Sequence, residues 1–145
     1  MKIHIPAFAA AAVLVWGAFQ PASAQLPKID KVRVTLPYKV MAGEKTLPAG
    51  DYTIEQQPTD GDSRVLMIYN SSGFKLQAMA MTTRSVEPKS PSQSTVSLLH
   101  YGKIYYLDKV WLEGNRWGYV IALPEKVRSH EKDMETVVLP ATTGQ

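Results

Sequence analysis

Apolar and polar residues alternate along much of the chain with the two-residue period of a half-buried β-strand. The clearest example is residues 31–40, in which nearly every second side chain is apolar: Val32, Val34, Leu36, Tyr38 and Val40. Pro37 has no N–H to donate to a ladder, so this strand must lie at a sheet edge or break at that residue. The pattern therefore predicts a strand with an interruption near its end.

Further strands are predicted between clusters of turn residues. A strand containing Tyr52 and Ile54 follows the turn predicted at residues 47–50. Residues 64–69 are apolar at nearly every position, which predicts burial on both faces, and alternation resumes in residues 74–81. Residues 82–93 contain two prolines and three serines without apolar periodicity, so we expect an exposed loop.

The strongest local signal is a hairpin centred on Gly102 and Lys103. Glycine as the first central residue suits a type II′ turn, whose twist matches that of the flanking strands. This turn fixes a register, because each residue before it then faces one residue after it. The predicted pairs are Tyr101 with Ile104, His100 with Tyr105, Leu99 with Tyr106, Leu98 with Leu107, Ser97 with Asp108 and Thr95 with Val110.

The C-terminal third contributes fewer strands. Residues 119–123 predict a strand that stops at Pro124, and the charged residues 125–135 predict a short surface helix. A brief strand is expected at residues 137–139 and a mobile tail at residues 141–145. The fold class is therefore all-β: a small antiparallel barrel or sandwich of seven to eight strands with a short C-terminal surface helix.

Residues 1–24 have the three parts of a secretory signal peptide. A basic start precedes the apolar residues 7–19, and Ala22, Ser23 and Ala24 offer small side chains before a cleavage point. Residues 25–145 then form a single β-rich domain with an ordered core at about residues 31–139. We expect an exported protein, periplasmic or extracellular, that does not span a membrane after cleavage. The absence of cysteine excludes disulfides.

Composition narrows the class of partner. The formal net charge is +3, and removing Lys2 with the signal peptide leaves 15 basic and 13 acidic residues, a net charge of +2. This weak charge gives no footprint for nucleic acid. Hydrophobic residues at 45% and charged residues at 20% are ordinary for a globular domain.

Several segments resemble one family of small exported bacterial proteins to which no function is assigned. They are residues 34–40, residues 47–54 with the pattern Leu-Pro-Ala-Gly-x-Tyr, and the later pairs Tyr101-Gly102 and Val110-Trp111. The resemblance covers roughly residues 31–138. It implies an exported β-rich domain and brings no catalytic residues.

The sequence offers little catalytic chemistry. Cysteine nucleophiles are excluded, and a serine or threonine triad would need His100 or His130 as its base. Among the acids, Asp108 stands out because it lies in an apolar strand, where Ser97 is its predicted partner. We expect no catalytic residues, no metal site and no cofactor.

An aromatic cluster is the candidate binding feature. Six aromatic residues fall between positions 101 and 119, interleaved with basic side chains. Such rings stack on sugars or apolar ligands, or anchor a protein partner. The candidate ligand-binding residues are His100, Tyr105, Trp111 and Trp117, and the expected partner is a protein, a glycan or an apolar ligand in the cell envelope.

The sequence therefore predicts an exported binding or structural module without catalytic activity. Two alternatives stay open. One is a small β-barrel that carries an apolar ligand in its interior. The other is a cell-envelope hydrolase that uses Asp108, His100 or the acids Glu44 and Glu55.

Overall fold

The computed structural model describes residues 29–59 and 62–144, so the predicted signal peptide at residues 1–24 lies outside the described residues. The described part contains ten strands and two short helical turns. In chain order they are β1 (Lys31–Leu36), β2 (Val40–Ala42), β3 (Lys45–Leu47), β4 (Gly50–Gln56), β5 (Val65–Asn70), β6 (Leu76–Val86), β7 (Thr95–Tyr101), β8 (Ile104–Trp111), β9 (Trp117–Ile121), α1 (Glu125–Arg128), a 3-10 turn (Glu131–Asp133) and β10 (Glu135–Thr143).

Eight of these strands close into an antiparallel barrel. The order around it is β8, β7, β10, β1, β4, β5, β6 and β9. The ring closes where β9 returns to β8, with Lys109 opposite Val120 and Val110 opposite Tyr119. The all-β class is confirmed, and the architecture is a closed barrel rather than a sandwich.

The remaining two strands form a hairpin at one end of the barrel wall. The predicted strand over residues 31–40 breaks at Pro37, so Val40 begins the separate strand β2. β2 runs parallel to the first half of β8, with Val40 opposite Tyr105, while β3 pairs antiparallel with β2. The hairpin buries three side chains, those of Val40, Ala42 and Leu47.

Side chains fill the barrel interior. The inward positions of successive strands carry aliphatic residues that are almost completely buried, such as Val32, Leu66, Ile68, Leu98 and Leu107. An interior of eight strands is only wide enough for its own side chains or one small ligand. Here the side chains occupy it.

The predicted β7–β8 hairpin is confirmed at its turn and corrected farther away. Gly102 has φ +62° and Lys103 does not have a positive φ, as a type II′ turn requires. The predicted pairs hold from Tyr101 opposite Ile104 to Leu98 opposite Leu107. A bulge between Ser97 and Leu98 then shifts the register by one residue, so the predicted backbone pairs of Ser97 with Asp108 and Thr95 with Val110 are wrong.

Two predictions for the middle of the chain are also corrected. Strand β5 alternates instead of being buried on both faces, with Leu66 and Ile68 inside and Val65 and Met67 partly exposed outside. Strand β6 continues to Val86, where a loop was expected, because residues 82–86 pair with β9. Their inward side chains are polar, which hides the strand from a search for apolar alternation.

The C-terminal segment is more ordered than predicted. The surface helix is reduced to the single turn α1 followed by a 3-10 turn. The expected mobile tail is wrong for residues 141–143, which pair with β1 and extend β10 to Thr143. Within the described part of the chain, no helix has the length and hydrophobicity that crossing a bilayer requires.

Candidate functional site

The structure divides the four predicted site residues between two ends of the barrel. His100 and Tyr105 face each other beside the β7–β8 turn. Trp111 lies six residues beyond Tyr105 along β8, a distance of about 20 Å at the rise of an antiparallel strand, and Trp117 begins β9 near it. The four residues therefore do not form one site.

Three rings form a stacked column at the turn end of the barrel, which we call the ring column. Tyr38 lies on Tyr105 with the ring centroids 4.1 Å apart and the planes 4° from parallel. His100 lies on Tyr105 as well, at 4.2 Å and 8°. His100 and Tyr105 follow Leu98 and Leu107 at the two-residue period of inward positions, so the column covers this mouth of the barrel.

The three rings of the column differ in exposure, and Tyr38 at one end is the most exposed. Tyr105 is partly buried and packs against the core, whereas Tyr38 is 40% exposed. The turn after β1 places Tyr38 here, because Pro37 ends the strand and releases the next residue from the barrel wall. The alternating pattern of residues 31–40 predicts Tyr38 only as one apolar member of a strand. The proline directly before it was the available signal that its side chain leaves that pattern.

Polar groups accompany the rings. The Glu135 carboxylate lies 4.0 Å from His100 Nδ1, and its side chain is 82% exposed. Partial burial, the adjacent Tyr38 and the charge of Glu135 raise the pKa of the Tyr105 hydroxyl above its ordinary value. A second stack, Tyr101 on His130 at 5.1 Å, lies beside the same turn. The end thus combines flat rings with hydrogen-bonding groups.

Trp117 belongs to a different cluster at the opposite mouth. The Arg84 guanidinium lies 3.7 Å above the centre of the Trp117 ring and forms an ion pair with Asp62. Tyr119 meets Trp117 edge to face and donates a 2.7 Å hydrogen bond to Asp30. Burial and the bond to Asp30 raise the Tyr119 pKa far above its ordinary value. These contacts cover this mouth of the barrel. One face of Trp117 is therefore occupied by Arg84 and is not open to a ligand.

Trp111 also packs against its own fold. A Cβ atom on Gly118 would lie 2.6 Å from Trp111 Cε3 and 2.7 Å from Cδ2, which shows that the indole covers the bare backbone of the next strand. Because Trp111 alternates with the buried Val110, it lies on the outer face of the barrel. Neither tryptophan joins the ring column.

Asp108 lines a separate cavity of about 310 Å³ between the barrel wall and the segment after β9. It is 5% exposed, and Ser97 donates a 3.3 Å hydrogen bond to its Oδ2, so the predicted side-chain pair is present despite the bulge. Burial raises the pKa of this carboxyl, with Glu131 adding to the rise and Lys109 and the Ser97 bond opposing it. Over residues 29–59 and 62–144, no group of three or more acidic or histidine side chains is placed to hold a metal ion.

The other acids named as catalytic alternatives are dispersed. Glu55 forms an ion pair with Lys31 at 3.3 Å on the β4–β1 wall, and Glu44 is exposed in the β2–β3 turn. A groove of about 570 Å³ crosses β4, β1 and β10 on the outside, where the Thr35 hydroxyl donates to Asp51 at 2.5 Å. Its polar groups therefore partly satisfy one another. Comparison of the chain with protein-family models, with curated proteins and with solved structures finds no match.

Proposed function

We propose that the protein is an exported, non-catalytic binding module and that it holds a glycan of the cell envelope against Tyr38. The observation that carries this proposal is the ring column. One face of Tyr38 is fixed against Tyr105, and yet two fifths of the residue is accessible to solvent. A rigid, exposed aromatic face offers a large amphipathic contact area at little entropic cost.

The polar groups beside the column favour a sugar over a purely apolar ligand. A sugar ring has an apolar face that stacks on an aromatic ring and hydroxyl groups around its edge that need hydrogen-bond partners. Tyr38 and His100 lie on opposite faces of Tyr105, so the His100 imidazole and the exposed Glu135 carboxylate supply such partners to the neighbouring unit of an oligosaccharide that crosses the edge of the column, rather than to the unit stacked on Tyr38. A few polar groups around an apolar contact are what orient a ligand in most binding sites.

The two alternatives have less support. A carrier of apolar ligands needs interior space, whereas side chains such as Ile68 and Leu98 occupy the barrel with no exposure at all. A glycoside hydrolase needs two carboxyl groups about 5 to 10 Å apart. Among the described contacts of the ring column, Glu135 contributes the single carboxylate. Binding without hydrolysis is therefore the function that fits best.

Titration of the ¹⁵N-labelled protein with two soluble oligosaccharides tests the proposal. We would use a β-1,4-linked N-acetylglucosamine tetramer and maltotetraose, and follow amide shifts. The expected result is that one of them shifts the amides of Tyr38, His100, Tyr105 and Glu135, while the intact oligosaccharide is recovered afterwards. Tyr38→Ala should weaken binding about tenfold, which corresponds to about 1.4 kcal/mol.

Tyr69→Ala is the matched control, because Tyr69 is a partly exposed tyrosine on the outer face of β5, away from the column. It should bind as the wild type does, and Tyr38→Phe should retain most of the affinity. No shift with either oligosaccharide at millimolar concentration would contradict the proposal. Shifts centred on Arg33 and Asp51, which line the β4–β1–β10 groove, would contradict the assigned site.

A further inference from the structure

Three methionines lie together on the outer face of strands β5 and β6. Met67 on β5 stands directly opposite Met79 on β6 in the antiparallel register. Met81 follows Met79 by two residues and therefore lies on the same face, diagonal to Met67. We call Met67, Met79 and Met81 the methionine triad.

The triad lies on the solvent side of the two strands, and other residues of the same strands supply the side chains that point into the core. Met79 is 51% exposed and Met81 is 64% exposed, whereas the intervening Ala80 is 3% exposed and points into the core. Met67 is partly buried, and the Tyr69 hydroxyl lies 3.5 Å from its sulfur. The thioethers are thus not needed to fill the interior.

The spacing allows the three sulfur atoms to converge. Directly opposite residues of an antiparallel pair have Cβ atoms about 5 Å apart, and diagonal neighbours about 7 to 8 Å, within reach of long side chains. Methionine has three rotatable bonds beyond Cα and adapts its terminal position easily. The two strands would hold the three Cα atoms in place, and the three side chains would bend toward one another on the outer face of the barrel.

We propose that the methionine triad binds one soft monovalent metal ion, Cu(I) or Ag(I), through its three thioether sulfurs. Thioethers are soft ligands that select Cu(I), whereas Zn²⁺ and the harder cations prefer nitrogen and oxygen donors. The chain has no cysteine to compete for such an ion. The site is separate from the ring column and does not depend on the proposed glycan binding.

Methionine-methyl NMR gives a direct test with Ag(I), which has the same preference for soft ligands and does not change oxidation state. The protein labelled at the methionine methyl groups would be titrated with silver nitrate in chloride-free buffer. The chain contains six methionines, and Met41 and Met134 lie outside β5 and β6 as internal controls. We expect shifts of the triad methyl groups alone, saturating at one ion per protein.

Isosteric variants separate ligation from hydrophobic contact. Met79→Leu preserves the apolar volume and removes the sulfur, and we expect its affinity for Ag(I) to fall about tenfold or more, since even the loss of a group that only supports a metal ligand costs that much. Met41→Leu should bind as the wild type does. Unchanged affinity in Met79→Leu, or shifts of Met41 and Met134 equal to those of the triad, would overturn the proposal.

The pH dependence distinguishes thioethers from imidazoles. Histidine ligands must lose a proton to bind a metal, so their affinity falls as the pH falls. A thioether has no such proton, and the triad should bind Ag(I) equally well at about pH 5 and pH 7.5. A clear loss of affinity at the lower pH would place the ion on His100 or His130 instead and refute the assignment. If the affinity for Ag(I) is the same at both pH values, competition with a Cu(I)-selective chelator in the presence of ascorbate extends the measurement to copper.

Discussion

Arg84 provides the sharpest test of how the barrel is closed, because it is a charged side chain that points into one mouth. It follows Ala80 and Thr82 at the two-residue period of inward positions on β6. Its guanidinium lies 3.7 Å from the centre of the Trp117 ring and 5.7 Å from that of Tyr119. We predict that Arg84→Met destabilises the protein mainly by removing this contact with the rings.

The magnitude follows from what each contact is worth at its exposure. A cation over an aromatic face is worth about 0.5 to 1 kcal/mol when exposed and about 2 kcal/mol when desolvated; the Arg84 side chain is 27% exposed. The ion pair with Asp62 adds only about 0.5 kcal/mol after solvent screening, because the Asp62 side chain is 59% exposed. Arg84 Nε is buried without a hydrogen-bond partner, which costs the wild type desolvation free energy. The substitution removes this cost and so offsets part of the lost stabilisation. The expected loss is about 1 to 2 kcal/mol.

Urea unfolding of a double-mutant cycle measures the contribution of each partner. The unfolding curves of the wild type, Arg84→Met, Trp117→Leu and the double variant give the coupling free energy, which we expect to be about 1 kcal/mol. The parallel cycle with Asp62→Asn should give about half of that or less. Circular dichroism serves as the common probe, since Trp117→Leu removes a fluorophore. A coupling to Asp62 larger than that to Trp117 would refute the reasoning.

Two further substitutions test packing and a buried charge. Gly118→Ala should lower stability by about 1 to 3 kcal/mol, because the new methyl would meet the Trp111 ring, whereas Gly73→Ala, with no contact closer than 3.8 Å, should be nearly neutral in the same urea titration; equal stabilities would contradict this. Burial raises the native-state pKa of the Asp108 carboxyl, so ionised Asp108 opposes folding at neutral pH and protonated Asp108 does not. Asp108→Asn should therefore raise the free energy of unfolding at pH 7, with an advantage that shrinks as the pH falls toward about 4; a less stable Asn variant at pH 7 would refute it.

The β7–β8 hairpin shows how far local sequence determines register. Gly102 specifies the turn, and the four pairs nearest to it follow directly, as far as Leu98 opposite Leu107. Beyond that point the strand on the other edge of β8 changes, because β2 pairs with the first half of β8 and β9 with the second half. The bulge lies at this exchange. It depends on strands distant in sequence, which a local pairing rule does not include.

The parts of β6 and β10 that extend beyond the predicted strands contain polar or proline residues, which tertiary contacts make acceptable there. Thr82 and Arg84 face inward on β6, and the ring beneath Arg84 is supplied by β9. Pro140 lies within β10, where the ladder to β7 ends and the ladder to β1 begins at Ala141. A missing N–H is tolerated at such a change of partner. Apolar periodicity along the chain reveals neither the ring that contacts Arg84 nor the change of partner at Pro140.

The sequence predicts only the part of the candidate site that one hairpin brings together. His100 and Tyr105 were placed together correctly because one short hairpin carries both. The two tryptophans were grouped with them by closeness in sequence, although an extended strand carries the chain about 3.3 Å farther with each residue. Tyr38 was missed because it is 67 residues from Tyr105 in the chain and meets it only through the parallel β2–β8 pairing that begins at Val40.

The closure of both mouths determines where this barrel can bind anything. The ring column covers one mouth, Arg84 with Trp117 covers the other, and aliphatic side chains fill the space between them. A ligand that entered the interior would have to displace packed side chains, and losing such packing costs several kcal/mol per large residue. Ligands are therefore expected on the outer surface. There, the exposed ring of Tyr38 and the thioethers of the methionine triad offer chemically different contacts, so the two proposed sites can be tested independently of each other.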